Sequence, residues 1–256
     1  MLFSVRWVSR SCGASRSRPE ERKPDLDRTS RAVEARQSGD VAIGICVLIK
    51  VHHLNNSRSQ RVLWLLEEIG LDYEVIRYQR DAKTMLAPAS LRRIHPLGKS
   101  PIIEDGSLRL AETGAIVDYL VARYGKGLAP PPPGDESYWR YRYWLHYAEG
   151  SLMPPLLLKL VVNRLGLFGW AARRYVDGQI KLHLDYLEKE LDNKQWFAGD
   201  AFSAADIMMS FPLEAASSRG GLNASRPNLW SFLARIHARP AYQRALSRGG
   251  PYAYAR

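Results

Sequence analysis

The chain has 256 residues, of which 46% are hydrophobic and 25% charged, a composition typical of globular proteins that excludes a fibrous or low-complexity chain. Its formal net charge is +11, but no extended block of Lys/Arg, RNA-binding signature or zinc-ligand spacing indicates nucleic-acid binding, and we interpret the excess as a basic surface that attracts anionic substrates. The two cysteines, Cys12 and Cys46, predict a reducing compartment rather than a disulfide framework, and no apolar run is long enough to span a membrane.

Residues 1–46 are rich in Arg and Ser and show little periodicity, which predicts a disordered extension without a function of its own. Four arginines and no acid lie within residues 1–19, as in organelle transit peptides. Acidic residues from Glu20 onward argue against that alternative, and we predict a cytoplasmic protein.

Residues 47–129 show the pattern of an α/β domain. Val47–Val51 predicts a buried strand, and the following helix ends at Gly70. Tyr73–Tyr78 alternates as a second strand does, and Met85–Ile94 predicts a short helix. With the hairpin and helix that follow, this order is the thioredoxin-like pattern, in which one sheet contains a parallel pair and an antiparallel pair of strands.

The hairpin and the helix after it form a corner suited to a small ligand. Ser100-Pro101 begins an extended run, and Asp105-Gly106 predicts a two-residue turn. Thr113 is a candidate N-cap of the next helix, with Glu112 beside its positive end. Such a corner binds the carboxylate of a zwitterion with the helix N–H groups and its ammonium with the acid.

The second half of the chain predicts an all-helical domain. A Pro-rich linker is placed at 130–136, the helical domain at 137–246 and a tail at 247–256. Pro154-Pro155 must end or kink a helix, and Ser203 to Asp206 is a capping box without a catalytic role. The predicted helices are Tyr138–Gly150, Leu156–Leu165, Ala171–Leu191 and Ala204–Ala216.

The loop after the first strand offers three polar side chains to a ligand, namely Asn56, Ser57 and Ser59. The loop lies between the carboxyl end of a strand and the start of a helix, where open α/β sheets bind their ligands. His52 and His53 are adjacent strand residues that point to opposite faces, so they cannot chelate a metal jointly, and we predict no metal site.

The stretch from His95 to Ile116, with Pro101 and Glu112-Thr113, resembles the glutathione-binding half-site of soluble glutathione S-transferases. Ser57, four residues before Arg61, resembles the Ser-x-x-x-Arg pattern of the serine-type enzymes, and the resemblance is to bacterial and fungal members of the family. The resemblance covers roughly 48–242. It implies a thioredoxin-like domain followed by an all-α helical bundle, a homodimer, and glutathione as co-substrate with no tightly bound cofactor.

The resemblance also implies roles for individual residues. Ser57 donates a hydrogen bond to the glutathione sulfur, with Asn56 and Ser59 as rival donors. A cis bond before Pro101 turns the backbone of the preceding residue towards the cysteinyl backbone of the ligand. The residues implied to bind glutathione are Lys99, which contacts the glycine carboxylate, with Ser100, Pro101, Glu112 and Thr113.

The function implied is conjugation of glutathione to a small apolar electrophile, without nucleic acid or membrane as partner. The alternatives are a glutathione-dependent peroxidase or disulfide reductase of the same fold, and a non-catalytic binding module. The second substrate is expected between the domains. Five aromatic residues begin the helical domain; most belong to the core or a dimer interface, and one or two are expected to line the pocket. They are Tyr138, Trp139, Tyr143, Trp144 and Tyr147.

Overall fold

The computed structural model describes residues 48–125, 127–130 and 132–255. The extension predicted over residues 1–46 lies outside these ranges, as does Val47, the first residue of the first predicted strand.

A four-stranded sheet forms the first half of the described chain, in the order β2-β1-β3-β4. The parallel pair is β1 (Ile49–Leu54) with β2 (Tyr73–Tyr78), and β3 (Ile102–Asp105) runs antiparallel to both β1 and β4 (Leu108–Ala111). The helices of this half are α1 (Ser59–Ile69), α2 (Ala89–Ile94) and α3 (Thr113–Tyr124). The thioredoxin-like arrangement is therefore confirmed.

Strand β1 is longer at its carboxyl end than predicted, because His52, His53 and Leu54 continue the pairing with β2. Helix α2 begins at Ala89 instead of Met85. Met85 has a φ of 59°, in the left-handed region, and the ring of Pro88 disfavours helical geometry at the residue before it.

The predicted turn of the β3–β4 hairpin is wrong by one residue. Gly106 and Ser107 form the loop, and Asp105 is the last residue of β3. The Asp105 carboxylate accepts hydrogen bonds from the hydroxyls of Tyr119 at 2.7 Å and Tyr124 at 2.6 Å. These bonds hold the acid inside the domain, and Gly106, with a φ of 61°, takes the first turn position.

Six helices form the second half of the described chain: α4 (Glu136–Tyr147), α5 (Met153–Arg164), α6 (Trp170–Glu190), α7 (Ala204–Arg219), α8 (Pro227–His237) and α9 (Pro240–Gly249). A π-helical turn, Ala148–Leu152, joins α4 to α5, and a 3-10 turn, Gly166–Gly169, precedes α6. The two prolines lie in the first turn of α5, where no N–H is needed. Helix α9 continues past residue 246, the predicted end of the helical domain.

The capping box at the start of α7 is confirmed. One oxygen of the fully buried Asp206 carboxylate accepts the N–H of Ser203 at 2.9 Å and its hydroxyl at 3.0 Å. The other accepts the N–H of Phe197 at 2.8 Å. Asp206 thus fixes the loop before α7 as well as the helix start.

Helix α1 connects the two halves. Residues Ser59 to Leu66 are all buried, because the helix packs on the sheet and on α3, α7 and α9. The Trp64 ring meets the Tyr242 ring edge-on at 5.2 Å, and Gly70, with a φ of 76°, ends the helix as predicted. Across the described ranges, no helix is both long and apolar enough to cross a membrane.

Candidate functional site

A cavity of about 830 Å³ lies between the sheet and the helices. One wall consists of the β1–α1 loop, the segment before β3 and the start of α3. The other consists of α5, α7 and the last described residues of the chain. The six residues that the sequence assigns to the site all line this cavity: Ser57, Lys99, Ser100, Pro101, Glu112 and Thr113. Three separate segments of the chain therefore meet at one place.

The Ser57 side chain lines the cavity and is 4% exposed. Its Oγ lies 2.7 Å from the Ser59 Oγ and accepts the Ser59 N–H at 3.3 Å. The Ser59 hydroxyl in turn lies 2.9 Å from Nδ1 of His53. Three polar groups therefore form one hydrogen-bonded chain that ends at the cavity.

The rival donors differ in how they face the cavity. Ser59 does not line it. Asn56 does, but its Oδ1 accepts the N–H of Ala253 at 2.8 Å, and its backbone has a φ of 50°. Of the three candidate donors, Ser57 and Asn56 are thus the ones that a ligand in the cavity can reach.

Burial, with a smaller contribution from the Arg77 guanidinium, lowers the pKa of His53 to about 4. The imidazole is therefore neutral at pH 7. When Nδ1 carries its proton, His53 donates to Ser59, Ser59 donates to Ser57, and the Ser57 hydroxyl proton remains available to a group in the cavity.

The segment before β3 is fixed to the end of β1. The Ser100–Pro101 peptide bond is cis, the isomer that the resemblance implies. The Ser100 hydroxyl donates to the carbonyl of His52 at 2.8 Å and accepts the N–H of Leu54 at 3.2 Å. Lys99 is exposed beside it at the cavity.

The start of α3 differs from the prediction that Thr113 is its N-cap. Glu112 occupies that position and Thr113 is the first helical residue. Glu112 has a φ of 71°, a conformation that a side-chain-bearing residue adopts only at a cost of about 1–3 kcal/mol. Its exposed carboxylate and the buried Thr113 both reach the cavity, so an acid stands beside unpaired helix N–H groups, as predicted.

A partly buried ionic cluster lies where the β1–α1 loop meets the helical half. The Glu149 carboxylate, in the π-helical turn, accepts two 2.8 Å bonds from Nε of Arg58 and also contacts the guanidinium of Arg61. Burial alone would raise the pKa of the Glu149 carboxyl, but Arg61 and Arg58 outweigh it and hold that pKa below its ordinary value. Both guanidinium groups lie about 5 Å from the centre of the Phe211 ring.

The apolar wall of the cavity was not predicted. It consists of Met153, Leu157, Leu160 and Val161 of α5, with Phe211 of α7. None of the five aromatic residues at the start of the helical domain lines the cavity, so the expectation for one or two of them is wrong. Trp144 and Tyr147 are buried in the core, whereas Trp139 and Tyr143 face outward.

Two sequence signals pointed to this wall. Helix α5 is apolar on more than one face, which indicates that a second face covers something other than the core. The tail is also rich in tyrosine, and its Ala253 and Tyr254 line the cavity. The Tyr252 hydroxyl anchors the tail by donating to the buried Glu214 at 2.5 Å.

The two adjacent histidines lie in different surroundings. Nδ1 of His52 lies 2.9 Å from the Tyr78 hydroxyl, whereas His53 belongs to the chain that ends at Ser57. Within the part of the chain that the structure describes, no group of three or more His, Cys, Asp or Glu side chains is placed to hold a metal ion.

Comparisons with known proteins give a consistent result. The family model of the glutathione S-transferase N-terminal domain matches residues 46–122, and that of the C-terminal domain matches residues 171–240. Glutathione S-transferase 3 of Schizosaccharomyces pombe is 35% identical over 208 residues, which cover 76% of this chain and 85% of that protein.

Two further relatives bear on the chemistry. A crystal structure of a glutathione S-transferase from Actinobacillus pleuropneumoniae is 36% identical, with a TM-score of 0.74, and the match covers 82% of this chain and 96% of that one. The disulfide-bond oxidoreductase YfcG of Escherichia coli is 30% identical over 210 residues, which cover 78% of this chain and 94% of that protein.

Proposed function

The chain belongs to the glutathione S-transferase family, and from this premise we propose that it conjugates reduced glutathione to electrophiles, with Ser57 stabilising the thiolate. The observation that carries the proposal is the meeting of the six predicted residues at one cavity. A second wall of apolar side chains faces them, which gives an electrophile a place beside the sulfur.

In the proposed complex, glutathione lies along the sheet wall. Its γ-glutamyl end meets the Glu112 carboxylate and the helix N–H groups at Thr113, and the Ser100 backbone pairs with the cysteinyl residue. Lys99 takes the glycine carboxylate. These assignments match charge to charge and leave the sulfur near the β1–α1 loop.

The role of Ser57 follows from the energetics of a thiol. With a pKa of about 8.5, a free thiol is only a few per cent thiolate at neutral pH. One hydrogen bond to the charged sulfur contributes about 1.5–3 kcal/mol, which lowers that pKa by about one to two units. No general base is required, because the proton leaves to solvent before the electrophile is attacked.

A titration of bound glutathione tests this role. The ultraviolet absorption of the thiolate is followed against pH in the parent and in Ser57→Ala, which we expect to raise the pKa of the bound thiol by about one to two units. The kcat/KM at pH 6.5 is expected to fall about 10–100-fold while glutathione affinity changes little.

Asn56→Ala and Ser59→Ala are the matched controls. We expect Ser59→Ala to have a smaller effect than Ser57→Ala, because it acts through the Ser57 hydroxyl. An unchanged thiol pKa in Ser57→Ala, with a raised one in Asn56→Ala, would transfer the role to Asn56.

A second candidate, disulfide or peroxide reduction with glutathione, is favoured by the 30% identity to the E. coli disulfide-bond oxidoreductase. In this reaction the same glutathione thiolate attacks a disulfide or a peroxide, which is reduced while glutathione is oxidised. Turnover of a halonitroarene, compared with that of a glutathione mixed disulfide and an organic hydroperoxide, separates the two. Glutathione binding without any turnover would instead indicate a non-catalytic module.

We further propose a homodimer in the cytoplasm, as expected for this family. Large side chains remain exposed on the helical half, among them Trp139 at 65% and Phe168 at 95% exposure. Such side chains are enriched at protein interfaces. Sedimentation velocity distinguishes the dimer from the monomer.

A further inference from the structure

The charges that line the cavity are unbalanced. Cations outnumber carboxylates five to two: Arg58, Arg80, Lys99, Arg164 and Arg219 against Glu112 and Glu149. Glu149 is already shared by two arginines, one of them buried behind the wall. Glutathione thiolate is a dianion, because its ammonium offsets one of three negative groups. The cavity therefore stays positive when glutathione is bound.

Arg219, at the end of α7, is the cation of this set best placed to meet a second substrate. Its Nε donates to the carbonyl of Leu156 at 3.4 Å and its Nη1 to the Tyr254 hydroxyl at 3.4 Å, both long bonds to neutral groups. Among the residues that the structure describes, no carboxylate lies within ion-pair distance of its guanidinium. The group is half-buried, so water screens it less than it screens a surface arginine.

A continuous aromatic floor connects Arg219 to the Ser57 side of the cavity. The Phe211 ring lies under Arg58, the neighbour of Ser57, and meets the Tyr254 ring at 5.6 Å. The Arg219 guanidinium lies 5.6 Å from the centre of the same Tyr254 ring. The Phe211 and Tyr254 rings thus form a path of aromatic contacts from the loop of the nucleophile to the cation.

The wall beside this floor is apolar and open. Leu157 and Leu160 are 42% and 40% exposed and Val161 is 53% exposed, and all three line the cavity. Apolar side chains on one side and an unmatched cation at the end are complementary to an amphipathic anion.

We propose, on the premise of the transferase activity above, that the electrophile is an amphipathic carboxylate, whose apolar body lies on α5 and Phe211 and whose carboxylate pairs with Arg219. A charge-assisted pair of this kind gives specificity as well as affinity, because a neutral analogue leaves the cation unmatched.

Two matched electrophiles test the proposal: 4-chloro-3,5-dinitrobenzoate and its neutral methyl ester. In both, the thiolate sulfur forms a bond to the ring carbon, the carbon–chlorine bond breaks and chloride leaves with the electron pair. Each kcat/KM is divided by the rate constant of the uncatalysed reaction with glutathione, which removes the difference in intrinsic reactivity.

We expect the parent protein to favour the benzoate over the ester by about tenfold or more, equivalent to about 1.4 kcal/mol. Arg219→Gln should remove this preference by lowering kcat/KM for the benzoate about tenfold, with the ester changed less than about twofold. Arg173→Gln is the matched control, because Arg173 is an exposed arginine of α6 outside the cavity. It lowers the net charge equally and should change neither substrate.

Because the Arg219→Gln variant could fail to fold, a second measurement uses the parent protein alone. The unreactive 3,5-dinitrobenzoate should inhibit turnover of the ester about tenfold more strongly than 3,5-dinitrobenzamide. Equal inhibition, or turnover of the ester without preference for the benzoate, overturns the inference and leaves the transferase function intact. Turnover of neither electrophile overturns the proposed function and the inference together.

Discussion

Replacing Glu149 by Ala tests how the nucleophile loop is held against the helical half. The variant removes the one carboxylate that contacts both Arg58 and Arg61. The Arg61 side chain is 2% exposed, its Nη1 donates to the carbonyl of Met208 at 2.8 Å, and its Nε has no partner among the described residues. Without Glu149, a buried guanidinium would keep only this neutral acceptor.

The cost follows from this geometry. Breaking a buried ion pair by removing one partner costs about 3–5 kcal/mol, because an uncompensated charge remains buried. Glu149 itself is 30% exposed, so water replaces part of the lost interaction, and we expect a loss of about 2–4 kcal/mol. With an m-value of about 2 kcal/mol/M in urea, the midpoint shifts by about 1–2 M.

Urea unfolding followed by circular dichroism at pH 7 measures this loss. The matched control is Glu190→Ala, whose partner Arg140 is 34% exposed, and a pair of that kind contributes about 1 kcal/mol or less. The Glu149 effect should shrink in acid. Because the pKa of the folded carboxyl is depressed, its contribution is present above the unfolded pKa and is lost as pH falls through the folded value. Equal losses in the two variants at pH 7 would refute the role assigned to the cluster.

Two further predictions concern stability. Asp206→Ala should lower the free energy of unfolding by about 3 kcal/mol or more, because it leaves the N–H groups of Phe197 and Ser203 unpaired. Ser203→Ala should lower it by only about 1 kcal/mol, and the urea midpoints of the two variants measure the difference. Unfolding measured between pH 7 and 5 should show a loss of about 2 kcal/mol that is absent in His53→Gln. A histidine whose folded pKa is lowered to about 4 stabilises the fold above the unfolded pKa of about 6.5, and that contribution is lost as pH falls.

The wall formed by the β1–α1 loop, the segment before β3 and the start of α3 was predictable because each part has a local sequence signal. Each signal spans only a few residues: a proline before a strand, an acid at a helix start, and a hydroxyl between a strand and a helix. The errors within this wall come from contacts that are distant in sequence. Asp105 belongs to β3 and not to the hairpin turn, because Tyr119 and Tyr124 of α3 donate hydrogen bonds to its carboxylate.

The apolar wall has weaker local signals, because the composition of α5 and of the tail does not specify what either segment faces. It depends on which face of α5 packs on the core and which faces the sheet. The turn that leads into α5 is held by Glu149, which binds arginines about ninety positions earlier in the chain. The cluster of aromatics at the start of α4 drew the prediction to the wrong helix, since Trp144 and Tyr147 complete the core instead.

The spacing between Ser57 and Arg61 now has a physical explanation. Ser57 lies two residues before α1, and Arg61 lies in the first turn of that helix, so the spacing places a cation within one turn of the nucleophile loop. The Arg61 side chain points to the helical half, where it binds the carbonyl of Met208 and the Glu149 carboxylate. Arg61 therefore acts on the nucleophile loop by fixing α1 against the helical half, to which the apolar wall belongs. A change that loosens this contact should disturb the distance between the thiolate and the electrophile before it disturbs glutathione binding.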